Sequence, residues 1–189
     1  MRPICLVIVA LMACASPLGQ APHAVASPPA RVTTKPLILE KDEGEKRARR
    51  PIQGSSPAAS AFFLKIDPNN GGSRHFVMGV EEMAPGGVIP MHKHLEQDEI
   101  LFLQNGVAHV TLGGQQRDVH GGATVFIPQG TWISVKNTGS EPIGVVYVFS
   151  SPGYENYMRC TSVPAGKPVR PMTLQERDRC MPAAHVMYK

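Results

Sequence analysis

His92 and His94 stand two residues apart, and Glu99 follows five residues later. On a strand, side chains two apart share a face, so the two imidazoles can aim at one point. Leu95 to Asp98 turn the chain, and Glu99 is expected to return a carboxylate from the neighbouring strand. Two imidazoles and one carboxylate suit Fe, Mn, Ni or Zn as divalent ions and leave positions open for a substrate. Gly86 and Gly106 flank the group where tight turns must admit positive φ. His75, His109 and His120 are the other candidate donors. His109 alternates with Ala108, Val110 and Leu112 and is expected to point outward; His75 and His120 are read as surface residues. Met172, Met181 and Met187, with Cys180 and His185, offer soft donors, but adaptable packing is the commoner use of methionine.

Short apolar runs must position these groups. Between Ala61 and Ser150 they fall at 76–80, 99–103, 107–112, 123–127, 131–136 and 143–149, each ended by Gly, Pro or Asn. Strands at this regular spacing imply an all-β sandwich or barrel. Asn105-Gly106 after the second run reads as a hairpin turn. Past the strands, Thr173 with Glu176 three residues on forms a capping-box signature, which predicts one short helix near the end.

The chain has 189 residues, 42% of them hydrophobic and 18% charged, which fits one folded domain and excludes a disordered chain. Gly and Pro, 18 each, favour a turn-rich β fold over a helical bundle. The basic run at 46–50 comes after Glu40, Asp42, Glu43 and Glu45, so it reads as a solvated connector. No aromatic stacking platform accompanies it, and no nucleic-acid partner is expected.

A basic start precedes an apolar run at 4–13, the pattern of an export signal at 1–15. Leu11-Met12-Ala13-Cys14 resembles a lipobox, with a lipid anchor at Cys14; the alternative is ordinary cleavage after Ala15. The protein is then periplasmic or a membrane-anchored lipoprotein of a bacterial envelope, or secreted. Residues 16–60, rich in Pro, Ala and Ser, read as a tether, 61–150 as the barrel and 151–189 as a C-terminal tail. Cys5 and Cys14 belong to the signal region. Cys160 and Cys180 remain, and in an oxidising compartment they are expected to form one disulfide.

Gly86, His92, His94, Glu99 and Gly106 resemble the first motif of the cupins at every fixed position, and Gly122, Pro128, Gly130 and Asn137 resemble the second. The segment from Ser151 to Arg159 is also similar to the stretch after the barrel in bacterial single-domain cupins. The resemblance implies a double-stranded β-helix, or jelly-roll barrel, with a short C-terminal helical tail, and a metal site on His92, His94 and Glu99. It also implies a third histidine where this chain has Ile133, which is expected to face the ligands from the opposite strand. Three outcomes are open: a metal held by three ligands, a lumen that has lost its metal, or another histidine in the gap. Cupins carry out oxygen insertion, isomerisation or decarboxylation on small organic molecules, and others bind ligands without catalysis; small ones pair into dimers. The resemblance thus implies a dioxygenase- or isomerase-like enzyme, or a non-catalytic protein with an apolar pocket of Leu101, Leu103, Val110, Ile133 and Val135.

Overall fold

The computed structural model describes residues 33–54 and 61–189. The expected export signal at 1–15, with Cys5 and Cys14, lies outside the described residues, as do 16–32 and 55–60 of the expected tether. The described strands are β1 (Glu45–Arg49), β2 (Ala61–Ile66), β3 (Val77–Met83), β4 (Val88–His94), β5 (Glu99–Leu103) and β6 (Val107–Leu112). They continue as β7 (Gln115–His120), β8 (Thr124–Ile127), β9 (Ile133–Asn137), β10 (Ile143–Phe149), β11 (Ser162–Pro164) and β12 (Val186–Tyr188). The helices are α1 (Tyr154–Cys160) and α2 (Leu174–Cys180). Among the described residues, no helix is long and apolar enough to cross a membrane.

Two antiparallel sheets enclose the core, in the orders β11-β1-β2-β3-β10-β5-β8 and β12-β4-β9-β6-β7. Alternation decides which side chains enter. Along β5, Glu99, Leu101 and Leu103 are buried while Ile100 and Phe102 face out. Along β10, Ile143, Val145, Tyr147 and Phe149 are the buried set. Burying such Leu, Ile, Val and Phe side chains stabilises the barrel by about 1.5–3 kcal/mol each. This is the all-β jelly roll with a short helical tail that the sequence implies.

The turns correct one expectation. Asn105-Gly106 does not close a hairpin: β5 pairs with β10 and β8, whereas β6 pairs with β7 and β9. The turn carries the chain from one sheet to the other. The Asn105 side chain fixes that crossing by donating to the Pro142 carbonyl and accepting from the Gly144 amide, both at 2.9 Å. Gly106 has φ 79°, and a Cβ there would lie 2.5 Å from the Ile143 side chain. The hairpin is one turn later. Gly113-Gly114, both with positive φ, join β6 to β7, with Leu112 opposite Gln115.

The second correction concerns the charged run. Residues 45–49 are not a solvated connector but β1, paired with β2 and β11 inside the larger sheet. Three of the charges find partners. Arg47 donates to Glu45 at 2.8 Å and to the Ser162 hydroxyl at 2.6 Å. Arg49 grips Glu81 on β3 with Nε at 2.8 Å and Nη2 at 2.5 Å. Arg159 of α1 binds Glu45 and Asp67. Long basic side chains can bury their stems while the heads stay paired, so a run of charges becomes a strand.

The tail belongs to the barrel as well. β11 extends the larger sheet beside β1, and β12 extends the smaller one beside β4, with Val186 opposite His94 and Tyr188 opposite His92. Helix α2 starts at the expected capping box: Thr173 accepts from the Glu176 amide, and the Glu176 side chain accepts from the Thr173 amide. Helix α1 is not legible in the sequence, having seven residues and no side-chain cap at Gly153. A Cys160–Cys180 disulfide, with Cα atoms 5.9 Å apart, joins the ends of the two helices. The expected pairing is therefore formed, and Cys180 is withdrawn from any soft-metal role.

Candidate metal centre

His92 and His94 lie on the inward face of β4, with 3% and 1% of their surface exposed. Glu99, 4% exposed, opens β5. The donor atoms of the three residues lie within 4.8 Å of one another. The convergence expected from the spacing is present, but its geometry differs in one respect. Glu99 does not come from a neighbouring strand; β4 and β5 belong to different sheets, so the carboxylate reaches across the lumen. Ile133 stands opposite His92 in the register of β4 with β9. It sits on β9 directly beside His92, as its cross-strand partner, and is fully buried.

The donor set fits a metal by an observation independent of motif spacing. Neither ring nitrogen of His94 has a hydrogen-bond partner, and neither does Oε2 of Glu99, although all are buried. His94 Nε2 and Glu99 Oε2 approach to 3.2 Å but are not aligned for a hydrogen bond. Leaving buried polar atoms without partners costs about 1–3 kcal/mol each, and a cation bound to one His94 nitrogen and to Glu99 Oε2 would remove that cost for those two atoms. His92 is oriented differently. Its Nδ1 lies 2.8 Å from the Pro90 carbonyl, so that nitrogen carries the proton and Nε2 keeps its lone pair for a ligand bond. Burial lowers the His92 pKa to about 4, and the neighbouring His94 adds to the effect against the pull of Glu99. At neutral pH the ring is uncharged, the form that binds metal. In the connecting turn, buried Gln97 also has an amide oxygen without a partner.

The other three candidate histidines stay away. His75 and His120 are exposed, and His109 points outward on β6, where it pairs with Asp118 at 2.7 Å. None fills the place beside His92. The five apolar residues expected to line the lumen are all buried in the core.

Aromatic rings of the tail close the chamber. The Tyr154 ring meets His94 edge-on at 4.4 Å between centroids, and Tyr188 stacks on His92 at 5.4 Å. The space left beside His92 and Glu99 is about 30 Å³, bounded also by Arg49, Glu81, Tyr147 and Met158. That admits a water or two, not an organic molecule. Sequence reasoning missed Arg49 and Glu81 here. Glu81 was detectable: on β3 it shares the inward parity of Val77, Gly79 and Met83, and a carboxylate among inward positions signals a partner.

Residues 79–149 match the family model described as the cupin domain, and the barrel that carries them has the jelly-roll architecture the resemblance implies. Among related proteins, the uncharacterised YrkC of Bacillus subtilis is 26% identical over 87 residues, covering 43% of this chain and 47% of that one. The tetracenomycin polyketide synthase protein TcmJ of Streptomyces glaucescens is 27% identical over 85 residues, covering 45% and 57%. The chain spans about half the length of the curated relatives it matches. Among solved structures, a predicted oxalate decarboxylase of Thermotoga maritima superposes with a TM-score of 0.54 at 16% identity, over 61% of this chain and 100% of that one, a likeness of fold.

Proposed function

We propose that this cupin holds one divalent ion, Fe, Mn, Ni or Zn, on His92, His94 and Glu99 and acts on a small organic molecule in the manner of a dioxygenase or isomerase. The observation that carries this reading is the set of buried donors without partners, converging from both sheets. A bound ion would polarise an oxygen of the substrate or of water. Glu99 offsets part of its charge, His92 is held in one tautomer by Pro90, and Tyr154, Phe149 and Tyr188 exclude bulk water from the imidazoles. A substrate reaches this chamber only if the tail rings move, since the space present is about 30 Å³.

One observation favours a second reading, a ligand-binding cupin that has given up its metal. Fully buried Ile133 stands beside His92 at the place where the cupin resemblance implies a histidine, and an alkyl group donates nothing. Elemental analysis of the purified protein and of Ile133→His separates the two. Substoichiometric metal in the native protein, rising toward one per chain in the variant, supports the first reading. No metal in either leaves the second.

Export and anchoring belong to the same proposal. The Cys160–Cys180 disulfide supports an oxidising compartment. Intact mass of envelope protein should show a lipidated Cys14 or a start near Ser16; retention of Met1 defeats the idea. A homodimer is supported by Ile100, Phe102 and Phe126, which expose 42%, 39% and 56% of their surfaces on the outer side of β5 and β8. Light scattering should give twice the chain mass, and a monomer at high concentration would refute it.

A further inference from the structure

A second cavity lies outside the metal chamber, between the strand β1 and the tail. Its volume is about 150 Å³. Most of its polar wall comes from outside residues 79–149: Arg49 and Arg50 at the end of β1, Tyr154 and Tyr157 on α1, Arg177 on α2 and Tyr188 on β12. Ile89, Pro90 and Met172 give it an apolar side, and half-exposed Val88 stands at its rim. Four residues, Arg49, Glu81, Ile89 and Tyr154, line both this cavity and the metal chamber, so they form the partition between them.

The charge of the wall is lopsided. Three guanidinium groups face one carboxylate, Glu81. The other carboxylates that hold these arginines, Glu176 and Asp178, are not part of the wall. The three arginines also share a geometry. Arg49 spends Nε and Nη2 on Glu81. Arg50 spends the same two nitrogens on the Arg170 carbonyl and on Pro171 and Glu176. Arg177 spends them on Asp178. In each, the Nη1 donors lie outside the pairing that fixes the side chain. Guanidinium groups anchored on one edge are held in place without spending all their donors, which suits them to bind an oxyanion.

The tyrosines add a donor. Tyr154 and Tyr188 hydroxyls lie 3.1 Å apart, and the Tyr157 ring stacks on Tyr188 at 5.5 Å between centroids. The hydrogen bond between the Tyr154 and Tyr188 hydroxyls uses one of their two protons, which leaves one O–H to point elsewhere. Burial, together with the neighbouring phenols, raises the pKa of all three, so they stay protonated.

We infer that this outer cavity is a binding site for a small organic carboxylate with an apolar ring or short-chain body. The carboxylate lies against Arg49, Arg50 and Arg177 and one tyrosine hydroxyl, and the apolar body lies against Ile89, Pro90 and Met172. The size agrees: a cavity of about 150 Å³ is enough for a six-membered ring. An inorganic oxyanion would leave the apolar side uncovered. The inference goes beyond the metal reading and stands without it, because no metal donor lines this cavity.

Calorimetric titration with sodium benzoate tests it, with benzyl alcohol as the neutral counterpart of similar shape. Charge-assisted hydrogen bonds to a carboxylate correspond to factors of about ten or more in affinity. Benzoate should therefore bind at least about tenfold more tightly than benzyl alcohol. Arg50→Met and Arg177→Met should each remove most of that advantage and leave the alcohol unaffected. Arg177→Met is the safer variant, since its partner Asp178 is half exposed, and circular dichroism checks that both variants fold. His94→Ala, which removes a metal donor, should bind benzoate as the native protein does. Equal affinity for benzoate and benzyl alcohol, unchanged benzoate binding in folded Arg177→Met, or no heat at about 10 mM benzoate would each overturn the site. Loss of benzoate binding in His94→Ala would place the anion at the metal chamber instead and would equally overturn it.

Discussion

Replacing Arg49 with methionine tests whether the partition between the two cavities is held by an ion pair. The Glu81 side chain is only 6% exposed, and Arg49 holds it with two hydrogen bonds. Burial alone would favour the uncharged guanidine, yet the Glu81 charge outweighs it and raises the Arg49 pKa. Arg49→Met takes both of these hydrogen bonds from a buried carboxylate, and breaking a buried pair costs about 3–5 kcal/mol. Because Arg49 keeps 26% of its side-chain surface accessible, the lower end of that range, about 3 kcal/mol, is expected. For a chain of this size that is a fall in Tm of about 6–12 °C. The Arg49→Met/Glu81→Met double variant removes both charges and should recover most of the loss, since apolar replacements of buried pairs are often neutral. Calorimetric melts of the four proteins give the coupling directly. A single variant that melts within about 2 °C of the native protein, or a double variant no better than the worse single one, would refute this reasoning.

The tail and His92 carry two more expected outcomes. Cys160→Ser/Cys180→Ser should cost about 3 kcal/mol, the loop-closure value for a separation of 20 residues, read as a lower Tm and faster proteolysis after Tyr154; equal melting with and without reductant would contradict it. In metal-free protein, His92 titrates near 4 when folded and near 6.5 when unfolded, so the unfolded chain binds the proton first. That contribution to stability is present above pH of about 6.5 and is lost as pH falls toward 4, by up to about 3 kcal/mol. His92→Gln should flatten this part of the denaturation profile, and an unchanged acid limb would count against a buried neutral imidazole.

The inward and outward sides of β5, β9 and β10 are legible in the sequence because period-two alternation is a local property. The same alternation places His92 and His94 on one face. What spacing cannot give is which sheet each strand joins. Glu99 comes soon after His94 in sequence, yet it faces the histidines from the other sheet; Ile133 is distant in sequence, yet it is the strand neighbour of His92. Asn105-Gly106 has the residues of a hairpin turn, but the partners of β5 and β6 are settled by long-range pairing. Residues 45–49 read as a connector because a charged run looks solvated until its partners are known. Glu81, Asp67 and Ser162, which make β1 a strand, are all remote in sequence. The tail's part in closing the chamber likewise depends on Tyr154 and Tyr188, brought together by the Cys160–Cys180 bond and the pairing of β12 with β4.

The most direct test of the central claim is a cobalt(II) titration of metal-free protein, read by d–d absorption. His92, His94 and Glu99 holding one ion predict saturation at one cobalt per chain, weakening about 10-fold or more in Glu99→Gln and lost in His92→Gln/His94→Gln. Circular dichroism must show both variants folded. The same stoichiometry and affinity in the native protein and in the folded double variant, or no cobalt spectrum in the native protein, would contradict the account.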